Sequence, residues 1–393
     1  MQQRNTPPWP SRARGEPSGE GPRGASCTRF SVSWPLILVL VVAGTVAAFW
    51  TLHLVWRLHG VWRIRRAGPR PILATRHRIW HEVHAREASD LRFGPGGEAS
   101  APAPPFEFVA ELLSGSHPCV SVRDAKQRLW RMKWGAEAKP ETFCVRFAAA
   151  CGYFAEVTHY VTSGRIDGVT TLTRARASVG EDGTFSDARF ELEDRAVRTL
   201  FDEHSWAWND NPFVGTKQLD GLKIVVMLLS NWDNKDRRDV SRGSNTAIFE
   251  HRISPLAYEA RYLIIDWGGA MGKWGATVIS RDRWDVEGFE AQTPGFVAGV
   301  HDDVIDFGYQ GQRTAEIARG IPVDHVRWFY KRARPITEPA LREGLLASGA
   351  TEDEATRFAR ALMTRIQALY EAVALSKSQE ARQDEGRRTI KTA

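Results

Sequence analysis

One stretch near the N-terminus constrains the fold more than any other feature of the chain. Between Arg29 and Arg57 lie 27 consecutive residues without a formal charge, FSVSWPLILVLVVAGTVAAFWTLHLVW. A helix over 34–56 would extend roughly 34 Å at about 1.5 Å per residue, which is enough to cross the hydrocarbon core of a bilayer. The apolar run is too long for a cleaved signal peptide, and no clean A-x-A site follows it. We therefore predict one transmembrane helix over residues 30–56.

The distribution of charge predicts a single-pass membrane protein whose main domain is cytoplasmic. The net charge of the chain is +6, but residues 1–70 hold ten Arg and two Glu (+8), so residues 71–393 carry −2. The basic excess thus belongs to the N-terminal segment, and no nucleic-acid partner is expected. Residues 57–70 suit anionic lipid headgroups. The positive-inside rule gives the orientation, because five arginines follow the apolar stretch closely and two precede it: Arg57, Arg63, Arg65, Arg66 and Arg70 against Arg23 and Arg29.

Composition shifts divide the rest of the chain. Residues 1–29 are rich in Pro, Gly, Ser and Arg and predict a disordered tail. A basic juxtamembrane segment and linker over 57–105 ends in GPGGEASAPAPP, after which a folded domain is expected over 106–375, followed by a polar tail over 376–393. Four scattered cysteines without a CxxC pair exclude a disulfide scaffold and a zinc ribbon.

The folded domain changes character once along its length. In its first part, strands are predicted within 106–135 for FEFVAELL, CVSVRD and LWRMKWG. A helix with Pro140 in its first turn and Gly152 at its end follows, and further strands are predicted near 155–161 and 168–177. Its second part predicts an apolar helix over 217–230, a hairpin formed by TAIFEH and RYLIID, and helices from 324 onward, notably over 352–373.

The stretch over 228–268 carries the most chemistry. An apolar helix leads into a loop dense in Asp, Asn and Lys, and a two-strand unit follows whose second strand ends in Asp266-Trp267-Gly268. Phosphoryl transfer needs one carboxylate to orient the attacking hydroxyl, and amide and carboxylate oxygens to hold Mg²⁺ against the nucleotide phosphates. Upstream, Lys133 ends an alternating strand and Glu141 opens the next helix. A strand Lys oriented by a helix Glu is typical of a site for ATP phosphates.

These motifs together resemble the atypical branch of the protein-kinase-like superfamily, which includes HipA-type kinases and phosphatidylinositol 3- and 4-kinases. Residues 230–235, SNWDNK, are similar to the catalytic loop of that family, with Asp233 in the position of the base and Lys235 in the His/Lys position. The resemblance implies that Asn245 and Asp266 bind Mg²⁺. It also implies that Lys133 and Glu141 position ATP.

Three departures from the family pattern are the spacing of the catalytic loop, the lack of a glycine-rich loop, and Trp267 in place of the usual Phe. Asp233 and Asn245 are twelve positions apart, whereas about five is usual, so Asp236 and Asn234 remain candidates for the metal site. No GxGxxG precedes Lys133, and SGSH at 114–117 is a weak substitute. A second motif, Asp306-Phe307-Gly308, matches the Asp-Phe-Gly sequence of kinases more closely. It lies 73 residues after Asp233, however, whereas Asp266 lies 33 residues after it, so we favour Asp266 as the metal ligand.

We therefore expect an α+β, two-lobed protein-kinase-like fold preceded by one transmembrane helix. The small β-rich N-lobe would span about 106–215 and the helical C-lobe about 216–375. The predicted activity is transfer of a phosphoryl group, dependent on ATP and Mg²⁺, to a protein, lipid or small-molecule hydroxyl. Two alternatives remain: an inactive pseudokinase-type scaffold, and a membrane-tethered interaction domain without a nucleotide site.

Overall fold

The fold of the protein is a computed structural model, described for residues 38–52, 55, 74, 76–83, 90–113, 117–194, 197–199 and 204–392, with only the backbone described at 197–199 and 377–392. The chain divides into two compact units, Met1–Trp56 and Arg57–Ala393. The first contains helix α1 over 38–52, and all other described elements belong to the second.

The described residues of the second unit form twelve strands and seven further α-helices. The strands are β1 (Arg76–Arg78), β2 (Phe106–Glu111), β3 (Cys119–Arg123), β4 (Leu129–Lys133), β5 (Thr158–Asp167), β6 (Thr184–Glu193), β7 (Val197–Thr199), β8 (Thr246–Ser254), β9 (Ala257–Ile264), β10 (Val297–His301), β11 (Val304–Phe307) and β12 (Ile321–Pro322). The helices are α2 (Ala138–Ala150), α3 (Lys217–Leu228), α4 (Val286–Gln292), α5 (Thr314–Ile317), α6 (Val323–Ala333), α7 (Glu338–Leu346) and α8 (Glu352–Thr392).

The membrane-spanning helix predicted over 30–56 is wrong, and with it the membrane localisation and the orientation. Across the described residues, no helix is both long enough and apolar enough to cross a bilayer. The long helix α8 is polar. Residues 30–37, the predicted tail over 1–29 and the predicted lipid-facing stretch over 57–70 lie outside the described residues.

A closed five-stranded barrel occupies the first part of the second unit, with strand order β2-β3-β4-β6-β5. Neighbouring strands pair antiparallel except at the closing seam, where β2 pairs parallel with β5. Side chains alternate along each strand, so Trp130 and Met132 fill the barrel while Arg131 and Lys133 face outward. The β4–β6 register places Lys133 opposite Arg189 and Arg131 opposite Glu191, which gathers four charged side chains on the outer face.

The second part of this unit is built around helix α3, which is almost entirely buried. Strands β8 and β9 form the predicted hairpin and extend into the sheet β1-β9-β8-β7, while β10, β11 and β12 form a separate small sheet. Helices α6 and α8 pack against α3, whereas α7 packs against α8 and α2, and apolar residues of all these helices share one core.

The fold is α+β, but the predicted two-lobed kinase-like arrangement is wrong. The strands of the predicted N-lobe close into a barrel, and the described elements from β1 onward belong to one compact unit rather than to two lobes. The strand predicted near 168–177 is a loop with a short 3-10 turn, and the last barrel strand is β6 instead. The sequence did not indicate strand β6, because Arg189 and Glu191 break its apolar pattern. Both side chains are nevertheless buried, and they pair with each other.

Candidate functional site

The loop that follows α3 is held by a buried arginine from the C-terminal helix. Ser230 adopts a left-handed conformation (φ 54°), which turns the chain away from the helix axis. Arg365 of α8 donates from Nη1 to the Leu228 carbonyl and to Ser230 Oγ, both at 2.8 Å, and from Nη2 to the Phe289 carbonyl at 3.0 Å. The guanidinium therefore connects the start of the polar loop to two other elements of the core.

Asp233 lies between an amide and an ammonium group. Its Oδ1 accepts from Gln312 Nε2 at 2.8 Å, and its Oδ2 is 3.2 Å from Lys235 Nζ. The Asp233 backbone N–H donates to Asn231 Oδ1 at 3.3 Å. These contacts fix the carboxylate at the partly exposed mouth of the loop, where an incoming hydroxyl group could reach it.

Asn245 returns to Asp233 despite the twelve positions between them. Its Nδ2 donates to the Asp233 carbonyl at 2.6 Å, and its backbone N–H donates to the Lys235 carbonyl at 3.0 Å. The intervening residues include a 3-10 helix over Arg237–Arg242, and the chain then returns to the loop at Asn245. The additional residues therefore protrude from the loop, and Asn245 remains beside Asp233.

Asp266 lies against the same loop. Its Oδ1 accepts from the Gly268 N–H at 2.9 Å, and its carbonyl accepts from Asn231 Nδ2 at 3.4 Å. A side chain at Gly269 would place its Cβ 2.9 Å from the Asp233 Cβ, so glycine is needed for this close approach. The two motifs that the sequence predicted to share a cleft are therefore in direct contact.

The alternative metal ligands are engaged elsewhere. Asp236 is fully buried, caps the 3-10 helix and pairs with Arg238. Asn234 donates from Nδ2 to the hydroxyl of Tyr309 at 2.6 Å. Asp306 lies on β11 in a separate hairpin, where it contacts the exposed His301 at 2.6 Å. None of the hydrogen bonds and ion pairs described for these three side chains involves Asp233 or Asp266.

Lys133 and Glu141 take part in one ionic network without contacting each other. Lys133 Nζ lies 3.6 Å from Glu191 Oε2, whereas Glu141 pairs with Arg189, which in turn pairs with Glu191. Burial opposes ionisation of Glu191, but the charges of Lys133, Arg189 and Arg131 outweigh it and lower the pKa of this carboxyl. The direct partner of Lys133 is thus a strand carboxylate rather than the predicted helix carboxylate.

The weak phosphate-loop candidate at 114–117 is described only at His117, since 114–116 lie outside the described residues. His117 Nε2 is 2.8 Å from Glu137 Oε2, and Glu137 also pairs with Arg283. The Glu137 side chain lies over Gly268, because a Cβ at that glycine would be 2.7 Å from it. These contacts connect the barrel to the segment that follows Asp266.

A cavity of about 480 Å³, here called the Glu156 cavity, adjoins the ionic network. Its apolar walls come from the barrel and from the β8–β9 hairpin. The charged lining consists of Arg131, Arg261, Glu156, Glu193 and Asp194, and the apolar residues include Leu129, Val157, Leu192, Phe249 and Leu263. Leu263 precedes Asp266 by three residues, and the charges of Lys133 and Asp266 both act on Glu156. The cavity therefore has an apolar body and a charged end beside both halves of the predicted site.

The pH dependence of the free energy of unfolding tests whether Glu156, in the Glu156 cavity, is protonated in the folded protein. Burial, reinforced by the charge of Glu191, raises the pKa of Glu156 from 4.5 to about 8, and Lys133 and Arg131 oppose the shift while Asp266 adds to it. A carboxyl group with a raised pKa stabilises the fold fully below about pH 4.5, and this contribution is lost as the pH rises through about 8. The lowered pKa of Glu191 acts below about pH 4.5, outside this window.

We expect wild-type protein to lose up to roughly 4 kcal/mol of unfolding free energy between about pH 5 and pH 8.5 relative to Glu156→Gln, whose side chain stays neutral. Urea unfolding at both pH values measures the difference. Glu107→Gln, at an exposed position on β2, is the matched control and should follow the wild type. Parallel pH profiles for wild type and Glu156→Gln would show that this carboxyl does not hold a proton in the fold.

The donor set fits a hard divalent cation such as Mg²⁺. Asn245 Oδ1 and Asp266 Oδ2 accept no hydrogen bond from the described residues, and both belong to side chains whose other polar atom is anchored. No group of three or more His, Cys, Asp or Glu side chains within the described ranges could hold a metal by itself. A cation here would therefore need amide, phosphate and water oxygens, which is how Mg²⁺ is commonly held.

Four of the six predicted site residues lie around the loop after α3: Asp233, Lys235, Asn245 and Asp266. Lys133 and Glu141 belong to the ionic network of the barrel, where they contact Glu191 and Arg189, respectively. Sequence reasoning missed four contributors: Glu156, Glu191, Gln312 and Arg365. The alternation of Arg189 and Glu191 along RFELE (189–193) was the one available signal, since it mirrors Arg131 and Lys133 on the neighbouring strand. Gln312 and Arg365 are 79 and 135 residues from their loop partners, and no local pattern marks them.

Comparisons with known proteins add no family to this description. Neither a protein-family model, nor a curated protein, nor a solved structure matches the chain. The resemblance to atypical kinases therefore stays a prediction, and the case for function depends on the site itself.

Proposed function

We propose that the protein transfers a phosphoryl group from ATP to a hydroxyl acceptor. The observation that carries this proposal is the contact between the Asp233 loop, to which Asn245 is hydrogen-bonded, and the segment after Asp266, next to a cavity that has an apolar body and a charged side with Arg131 and Glu156. Phosphoryl transfer asks the protein mainly to position groups and to stabilise charge, and this region supplies both functions.

Each residue has a distinct role in the proposed reaction. Asp233 accepts the proton of the acceptor hydroxyl and orients it, and Gln312 holds the carboxylate in place. Lys235 lies next to that carboxylate and stabilises negative charge that develops on the transferred group. Lys133, held by Glu191, contacts the phosphates that remain with the leaving group.

Asn245 and Asp266 would hold Mg²⁺ through Oδ1 and Oδ2, respectively. When bound, the ion supplies positive charge that neutralises the phosphate oxygens. The Glu156 cavity accommodates the base, because its apolar walls favour an aromatic ring.

Replacing Asp266 with Asn tests the nucleotide site. We expect ATP with Mg²⁺ to stabilise the full-length wild-type protein by about 2.7 kcal/mol at a concentration 100 times Kd, and this gain to be largely lost in Asp266→Asn. The amide can still accept from Gly268, so the fold is retained while the negative charge is removed. Thermal unfolding with and without ATP, each with and without Mg²⁺, measures the effect.

Asp306→Asn is the matched control, because it alters the other Asp-aromatic-Gly sequence at a position remote from the loop. It should retain the stabilisation by ATP and Mg²⁺. If ATP does not stabilise the wild type, the nucleotide site is refuted and an interaction domain without such a site is favoured.

A nucleotide-binding scaffold without turnover is the second candidate. The ion pair between Lys235 and Asp233 favours it, because the ammonium group occupies one of the two carboxylate oxygens that an acceptor hydroxyl would need. ATP-dependent stabilisation without phosphate release or transfer, unchanged by Asp233→Asn, would support this candidate over the enzyme.

A further inference from the structure

The largest cavity among those described lies beside the Glu156 cavity and has no role in the proposed reaction. Its volume is about 1030 Å³, and its walls come from the segment after β1, the glycine-rich turn at 94–97, helix α2 and strand β9. The two cavities share a wall that includes Phe154 and Arg261. Three arginines line the larger one, which we call the arginine cavity: Arg78, Arg146 and Arg261.

Arg146 is the most unusual of the three. Only 2% of it is exposed, and its Nε has no hydrogen-bond partner in the described part of the chain. Its one recorded hydrogen bond runs from Nη1 to the Ala347 carbonyl at 3.2 Å. Gly94, with φ of 69°, lies directly on the side chain, since a Cβ there would be 2.5 Å from Arg146 Cγ. A buried guanidinium normally meets a carboxylate or another anion, and none is in contact with this one among the described residues.

Arg78 and Arg261 are held in place but are only partly neutralised. Both contact Glu259, at 3.3 and 2.9 Å, and Arg76 reaches the same carboxylate at 3.8 Å. Both guanidiniums also lie over the ring of Phe154, at 5.6 and 4.7 Å from its centroid. Three positive charges thus share one negative charge, and two of the three face the cavity.

Two acidic residues and a histidine complete the charged lining. Asp90 and Glu82 reduce the positive charge of the cavity. Asp90 acts electrostatically on Arg146 without forming an ion pair with it. The ring of His81 lies 5.1 Å from that of Phe154. Burial lowers the pKa of Arg146 to about 10, partly opposed by Asp90, so the side chain stays charged at neutral pH. An additional anion would relieve this charge imbalance.

We propose that the arginine cavity binds a small oxyanionic ligand, a phosphate or carboxylate compound, through Arg146, Arg78 and Arg261. Arginine forks match such groups with two parallel hydrogen bonds, and side chains already held by Glu259 and Phe154 lose little freedom on binding. The volume suits a ligand larger than a single inorganic ion. The site is distinct from the proposed nucleotide site, which lies across the shared wall.

Titration calorimetry of the full-length protein with sodium pyrophosphate and, separately, with sodium citrate tests the proposal in Mg²⁺-free buffer. We expect saturable binding of at least one probe, weakened at least about tenfold in Arg146→Met and in Arg78→Met, since each loses hydrogen bonds to a charged group. The probe that binds distinguishes phosphate from carboxylate chemistry. Arg360→Met, which removes an exposed arginine of α8, is the matched control and should bind like the wild type.

Two further measurements separate this site from its alternatives. Asp266→Asn should leave probe binding intact, so loss of binding in that variant would assign the anion to the proposed nucleotide site instead. Without a probe, Arg146→Met should melt no lower than the wild type, because it removes a buried charge that lacks an anionic partner. Absence of binding by both probes, or binding unchanged in both arginine variants, would overturn the proposal.

Discussion

Replacing Asp233 with Asn is expected to slow phosphoryl transfer by about 10²–10⁴-fold, because the amide cannot accept the proton of the acceptor hydroxyl. Binding of ATP should change little, since the oxygens assigned to the cation belong to Asn245 and Asp266. The fold should also persist, because an amide oxygen can still accept the hydrogen bond from Gln312.

Hydrolysis of ATP with water as the acceptor provides the assay, because it needs no knowledge of the natural hydroxyl. The rate is measured at saturating ATP and Mg²⁺, and thermal stabilisation by ATP is measured on the same samples. Asp324→Asn, at an exposed position of α6, is the control and should retain the wild-type rate. An unchanged rate in Asp233→Asn would remove this residue from the mechanism, whereas equal loss of rate and of ATP binding would reassign it to the metal site.

Replacing Arg365 with Met is expected to cost about 3 kcal/mol of unfolding free energy. Arg365 is fully buried and donates to the carbonyls of Leu228 and Phe289 and to the hydroxyls of Ser230 and Thr293. Each buried acceptor left without a donor costs roughly 1–3 kcal/mol, and the guanidinium carbon also lies 3.6 Å from the Phe289 ring centroid. Relief of the buried charge offsets part of this loss, since burial lowers the pKa of Arg365.

Urea unfolding at neutral pH measures the change in stability. Arg360→Met removes an exposed arginine from the same helix and should shift the free energy by at most about 0.5 kcal/mol. Arg365→Lys keeps the charge but cannot reach four acceptors at once, so an intermediate loss is expected. Wild-type stability in Arg365→Met would show that the loop after α3 does not depend on this contact.

Local patterns predicted much of the secondary structure. Alternating apolar residues over 106–133 correspond to β2, β3 and β4, Pro140 lies in the first turn of α2, and the predicted hairpin is β8–β9. The same reasoning failed for β6, whose charged residues are buried by mutual pairing, and for the apolar stretch near the N-terminus, where hydropathy indicated a longer helix than the described residues contain.

Local sequence was enough to identify the candidate residues of the site, because the loop at 230–235 and the strand end at Asp266 are local arrangements of polar side chains after apolar elements. The partners of these residues depend on the packing of distant elements. Glu191 reaches Lys133 through pairing of β4 with β6, and Arg365 reaches Ser230 from the last helix. The barrel likewise closes through β2 and β5, about 60 residues apart. Propensity and periodicity act over a few residues, whereas these contacts depend on how distant elements pack.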